Sequence, residues 1–126
     1  MVAHEVPFVG NSFLLYNWRN INIFFNEYDL KTLDEFDTFW KTRPGTFTFE
    51  DYNKIVSIGL QRKDQVVSAE KVDELVGEYV DNNSLNDLLA TVYKAQMSSL
   101  VNADVPGELK GEMKVKPPRP SKNSSK

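Results

Sequence analysis

One local device, used three times, constrains this chain more than anything else in it. A hydroxyl residue is followed three positions later by an acid at Thr32 and Glu35, Thr48 and Asp51, and Ser84 and Asp87, and each pair opens an apolar-periodic run. The hydroxyl can accept a hydrogen bond from a backbone N–H that has no partner in the first helical turn. The acid can reach back to the cap and complement the positive end of the helix dipole. Ser68, with Glu70 in the following turn, opens a fourth run of the same kind. The repetition predicts a largely helical protein and gives the start of each helix.

Apolar spacing agrees. Val72, Leu75, Val76, Tyr79 and Val80 fall on one helical face, with Glu70, Lys71, Asp73, Glu74 and Glu78 opposite. Phe49, Tyr52, Ile55, Val56 and Gly59 trace a second stripe, and Leu33, Phe36 and Trp40 begin a third. Trp18, Ile21, Phe25 and Tyr28 mark a first helix over about residues 16–28, in spite of its many asparagines, whose amides compete for the backbone. Breaks fall at Arg43-Pro44-Gly45, Lys63-Asp64-Gln65 and Asp81-Asn82-Asn83. Before the first helix, residues 6–9 and 12–15 flank Gly10-Asn11, a pair suited to a hairpin turn, with Pro7 restricting the first strand to an edge.

A chain of 126 residues supports one hydrophobic core. The expected fold class is therefore all-α: about five short amphipathic helices in one small domain, with an N-terminal β-hairpin. Residues 1–103 form that domain. Residues 104–126 form a basic tail without apolar periodicity, rich in Pro, Lys and Ser, with too little burial to offset the entropy of ordering, and are expected to be disordered. The net charge of −3 conceals a split, since the tail holds six Lys or Arg against three acids and the body nine against fifteen. An acidic body is a poor surface for nucleic acid, which binds through cationic groups. "PPRP" near the end suits either a polyproline II ligand or a solubilising linker. No apolar run approaches the roughly 20 residues of a membrane span, and no secretory signal pattern opens the chain. A soluble, intracellular protein without membrane partners is expected.

Catalytic chemistry has little to draw on. Cysteine is absent, which removes disulfides and thiolate chemistry, and His4 is the single histidine. The carboxylates Asp34, Glu35 and Asp37, and Asp73, Glu74 and Glu78, read as solvated helix faces. They have none of the apolar shielding or further ligands that a metal or acid–base site needs. With no glycine-rich phosphate loop and no nucleophile–base set, the reading is non-enzymatic, with no cofactor and no metal. Gly59 and Gly77 sit inside helical stripes, either tolerated or admitting the close approach of another backbone.

The last helical run is the one that suggests binding. Leu85, Leu88, Leu89, Val92, Tyr93, Leu100 and Val101 recur at helical spacing, with Gln96 and Met97 between them. Part of so wide a stripe serves the protein's own core; the remainder is available to a partner, with Met97 adaptable to varied apolar surfaces. Leu88, Val92, Met97, Leu100 and Val101 are the candidate partner-facing residues.

Residues 13–101 resemble the tail assembly chaperones of long-tailed siphophages, as in phages of Gram-positive hosts such as lactococci. The likeness lies in an order of features: an aromatic-rich first helix (FLLYNWRNINIFFNEYD), a short second one (TLDEFDTFWKT), then "TFTFEDYNKIVSIGLQ" and "VSAEKVDELVGEYVDNNSLNDLLATVYKAQ". The family's Phe-x-Asp-x-x-x-Leu-x-x-x-Gly-Leu-like pattern is met by Phe49, Asp51, Ile55 and Gly59-Leu60. Its Val-x-x-Leu pattern is met by Val72, Leu75, Val76 and Tyr79, and its Leu-Leu helix by Leu88-Leu89. The first helix departs from the family, carrying Asn26, Glu27 and Asp29 where many members have an acidic cluster after a Leu.

The resemblance implies a helper of virion morphogenesis in the host cell cytoplasm, absent from the finished virion. Such a protein binds the tape measure protein, keeps that long, rather apolar helical chain soluble, and is displaced as tail tube protein polymerises around it. Self-association into a homo-oligomer is expected alongside. Two rival readings use the same stripe: a phage regulatory or host-factor-binding helical protein, and a minor tail structural component.

Overall fold

A computed structural model describes residues 3–101. The fold is all-α as the capping signals predict: a short antiparallel hairpin, β1 (Val6–Pro7) and β2 (Phe13–Leu14), precedes α1 (Trp18–Glu27), α2 (Leu33–Thr42), α3 (Phe49–Leu60), α4 (Ala69–Asn82) and α5 (Leu85–Leu100). A 3-10 turn, Pro44–Thr46, joins α2 to α3. The expected tail, and the domain boundary after residue 103, lie outside the described residues.

Each helix begins where its cap sits. Thr48 and Ser84 form full capping boxes with Asp51 and Asp87, hydroxyl to backbone N–H and carboxylate back to the cap. Ser68 accepts from the Lys71 N–H. Thr32 accepts from the Glu35 N–H, but the Glu35 carboxylate takes the Lys31 N–H at 2.6 Å instead of the cap's own. Helix α1 starts two residues later than its spacing suggests, because Asn17 caps it by accepting from the Asn20 N–H. It ends in a Schellman turn: Asp29 takes a left-handed conformation (φ 54°), and the Leu30 N–H reaches back to the Phe25 carbonyl at 2.8 Å.

The hairpin strands are only two residues long because Val9 and Ser12 belong to the turn, with Gly10 at φ 57°. Both edges are blunted against further pairing. The Phe8 N–H bonds the Ser12 carbonyl, so the adjacent pair Pro7 and Phe13 turns its backbone groups outward. Pro7 has no N–H to offer, and the Phe13 carbonyl accepts from Arg62 Nη2 at 2.9 Å.

The core sits where α3 packs against α1, α4, α5 and β2. At its aromatic end Phe24 of α1 meets Phe39 edge-on at 5.4 Å and Tyr28 at 5.3 Å between ring centroids, with Phe36 and Trp40 around them. Several apolar expectations are corrected here. The inward face of α1 is Asn20, Ile21, Phe24 and Tyr28, which leaves Trp18 69 % exposed. Leu33 and Phe49 each stand first in their helices, before the chain has turned onto the core, and both lie on the surface. Gly59 admits the Tyr16 ring, and the backbone of the β2–α1 connection crosses there too, the Leu15 N–H bonding the Gly59 carbonyl at 2.8 Å. Gly77 faces open space.

Candidate functional site

The wide apolar stripe of α5 divides into two rows. Leu88, Val92, Ala95, Gln96 and Ser99 face inward and are buried. Leu85, Leu89, Tyr93 and Met97 are half-buried, and Val101, at 51 % exposed, is open to solvent. These five are spaced by four residues, and each such step overshoots a full helical turn by about 40°. The row therefore starts beside the core seam and winds outward, so that an apolar flank climbs the helix from its first turn to its end. Leu100 lies half-buried beside it.

Of the residues expected to face a partner, the structure brings Met97, Leu100 and Val101 together on this outer side. Leu88 and Val92 are corrected: both are wholly buried in the protein's own core, because a residue one turn from Leu85 on the near side points straight at α3 and α4. In their place the flank holds Leu85, Leu89 and Tyr93, and the four-residue spacing through 97 and 101 is the sequence signal that finds them.

Beside the flank, α2 and α5 leave a shallow cleft of about 360 Å³ lined by Trp40, Pro44, Leu89, Ala90 and Tyr93. Its floor is aromatic: Trp40 and Tyr93 meet edge-on at 5.4 Å, and Tyr93 stacks on Phe36 at 6.4 Å. The rim carries an exposed ion pair, Lys41 to Asp37 at 2.9 Å, one turn apart on α2. Burial raises the Tyr93 pKa, with the Asp37 charge adding to the rise and Lys41 opposing it, so the phenol is neutral at physiological pH. An apolar cleft with one small charged rim suits side chains of an amphipathic helix.

A larger groove of about 850 Å³ runs between the hairpin and α4, over Val9, Phe13, Leu60, Val66 and Leu75. Its edges carry charges of both signs, and Arg62 is held there by Glu5 at 3.1 Å and by the Phe13 carbonyl.

Gln96 stands in the sequence only as a gap in the stripe, yet it is fully buried and accepts from Trp40 Nε1 at 2.9 Å. Its position eight residues after Leu88 is the signal that places it inward. Gln96 Nε2 and Asn20 Oδ1 have no hydrogen-bond partner among the described residues. An unpaired buried polar atom of this kind costs on the order of 1–3 kcal/mol.

Among the described residues no cluster of three or more His, Asp or Glu is arranged to hold a metal ion, and no helix is long and apolar enough to cross a membrane. The acidic runs on α2 and α4 lie along solvent-facing surfaces, and Lys41 and Lys71 pair with Asp37 and Glu74 within them. No family model, curated protein or solved structure matches this chain.

Proposed function

We propose that this protein is a tail assembly chaperone of a long-tailed phage, a non-enzymatic helper that binds the tape measure protein and keeps it soluble until tail tube protein polymerises around it. The observation that carries the reading is the apolar flank of α5, whose side chains pack only partly against the core and keep surface open beside the cleft at Trp40 and Tyr93. The order of apolar patterns that resembles the family supports it, as does the absence of assembled catalytic chemistry in the sequence.

The physics suits the role. A long partner helix that aggregates through its apolar face needs many modest covers along its length. A row of four partly exposed side chains ending at the exposed Val101 supplies one such cover. Several copies along one partner gain avidity without any single strong contact, and each copy remains displaceable. Self-association of neighbouring copies, action in the host cytoplasm and absence from the finished particle belong to the same proposal.

The test is co-expression with the tape measure protein of the same phage. The expected result is that the partner moves from the pellet to the soluble fraction and co-purifies with this chain. Equal precipitation with and without it overturns the proposal.

A further inference from the structure

The inward face of α5 changes character along its length. Leu88 and Val92 bury apolar side chains completely, but the next inward positions are Ala95, Gln96, Ser98 and Ser99. The Ser98 and Ser99 hydroxyls both donate to the Ala95 carbonyl, at 3.0 and 3.3 Å, and so tie the helix to itself. Among the described residues, the only side-chain hydrogen bond from this stretch to the rest of the protein is the one that Gln96 accepts from Trp40. The Gln96 amide also lies beside the Tyr16 hydroxyl, whose proton goes to the Ile55 carbonyl at 2.7 Å. The helix ends at Leu100 with no basic residue in its last turn.

Apolar burial, the main source of cohesion between helices, therefore rests on the fully buried Leu88 and Val92 in the first half of α5 and thins in the second, where it comes from the small Ala95 and the half-buried Met97 and Leu100. We propose that residues 95–101 form a hinged arm, latched by the Trp40–Gln96 hydrogen bond, that swings off the core as one unit while residues 85–92 stay anchored. Opening uncovers the surfaces of Tyr16 and Trp40 that Gln96 touches, and carries Met97, Leu100 and Val101 outward. The opening stands on the packing alone. Its use, enlarging the apolar surface offered to a partner helix, rests on the chaperone reading.

Native-state hydrogen exchange on the full chain tests the arm. The amides of residues 97–101 are expected to share one protection factor, far below that of the α3 core amides at Ile55 and Val56. Trp40→Phe, which removes the donor, is expected to lower that shared value by roughly five- to tenfold. Trp40→Phe combined with Gln96→Leu, which replaces both partners of the latch with apolar contact and leaves no indole N–H without its acceptor, is expected to raise it by a similar factor over Trp40→Phe alone, with Ile55 and Val56 unchanged in both. Protection that declines residue by residue toward Val101 and ignores both substitutions is ordinary fraying and overturns the proposal, as does exchange of the segment only with the whole core. The link to function is read separately. A doubly substituted Trp40→Phe, Gln96→Leu chain that solubilises less tape measure protein than Trp40→Phe ties the opening to binding, and equal solubilisation with the arm shut removes opening from the binding step. Failure of the parent chain to solubilise sinks the chaperone reading and leaves the exchange result standing.

Discussion

The ring of Tyr16 occupies the space where a side chain on Gly59 would begin: a Cβ built there would lie 2.9 Å from the ring's Cε2. The ring is fixed by burial and by the hydroxyl's 2.7 Å hydrogen bond to the Ile55 carbonyl, so it cannot swing aside. Gly59→Ala is expected to destabilise the fold by about 1–3 kcal/mol through overpacking, although alanine is the better helix former. Gly77→Ala, with nothing near the added methyl, is expected to stabilise by up to about 1 kcal/mol. Chemical denaturation of the two variants checks the contrast; equal effects would remove Tyr16 as the reason for a glycine at 59.

The same tyrosine makes stability sensitive to alkali. Burial drives the Tyr16 pKa far above the ordinary tyrosine range, with the nearby Tyr28 adding to the rise and the Gln96 amide opposing it. A folded-state pKa above the unfolded one contributes stability that is complete below about pH 10 and is lost as pH climbs past that value, where the unfolded chain releases the proton first. Denaturation midpoints measured from pH 8 to 11.5 are expected to fall above pH 10, and less steeply in Tyr16→Phe. Parallel slopes in the two proteins would refute the assignment.

Acid acts at the other end of the scale, on the cap of α3. The Thr48 backbone N–H holds the Asp51 carboxyl below its ordinary range, against some desolvation, and the Thr48 and Tyr28 hydroxyls add to the lowering. The contribution is present above the unfolded aspartate value of about 3.9 and is withdrawn as pH falls below it. Thr48→Ala is expected to cost about 1 kcal/mol at neutral pH, and the gap between variant and parent is expected to narrow near pH 3. Thermal melts at the two pH values measure it.

Substitutions on α5 separate fold from binding. Leu88→Ala empties a fully buried site and is expected to cost about 2–5 kcal/mol. Val101→Asp, on an exposed site, is expected to change stability by less than about 0.5 kcal/mol while reducing the yield of soluble tape measure protein. Wild-type solubilisation by Val101→Asp, together with Leu89→Asp, would take the flank out of the interaction.

Helix positions were legible because they rest on local chemistry: a hydroxyl and an acid three residues apart act within one turn, wherever the rest of the chain goes. The inward faces of α4 and α5 were legible too, since Val72, Leu75 and Val76, or Leu88 and Val92, repeat at the helical period. Phase failed where aromatics stood on more than one side. Trp18 and Phe25 looked like a core row, yet the Schellman turn and the Tyr28–Phe39 contact rotate α1 so that Phe24 takes the centre. The division of the α5 stripe was only half visible, because which row lies inward depends on where α3 crosses, a long-range fact. The Trp40–Gln96 bond spans 56 positions and no local pattern encodes it.

The blunted hairpin bears on how this molecule avoids a hazard of its own. A chain that keeps greasy helical surface uncovered invites crowding, and in a crowd any free strand rim would template runaway stacking into fibrils. With proline on one rim and a guanidinium bonded to the carbonyl of the other, the hairpin offers little backbone ladder to extend, so any gathering on the helices would be left to side-chain contacts that can be undone.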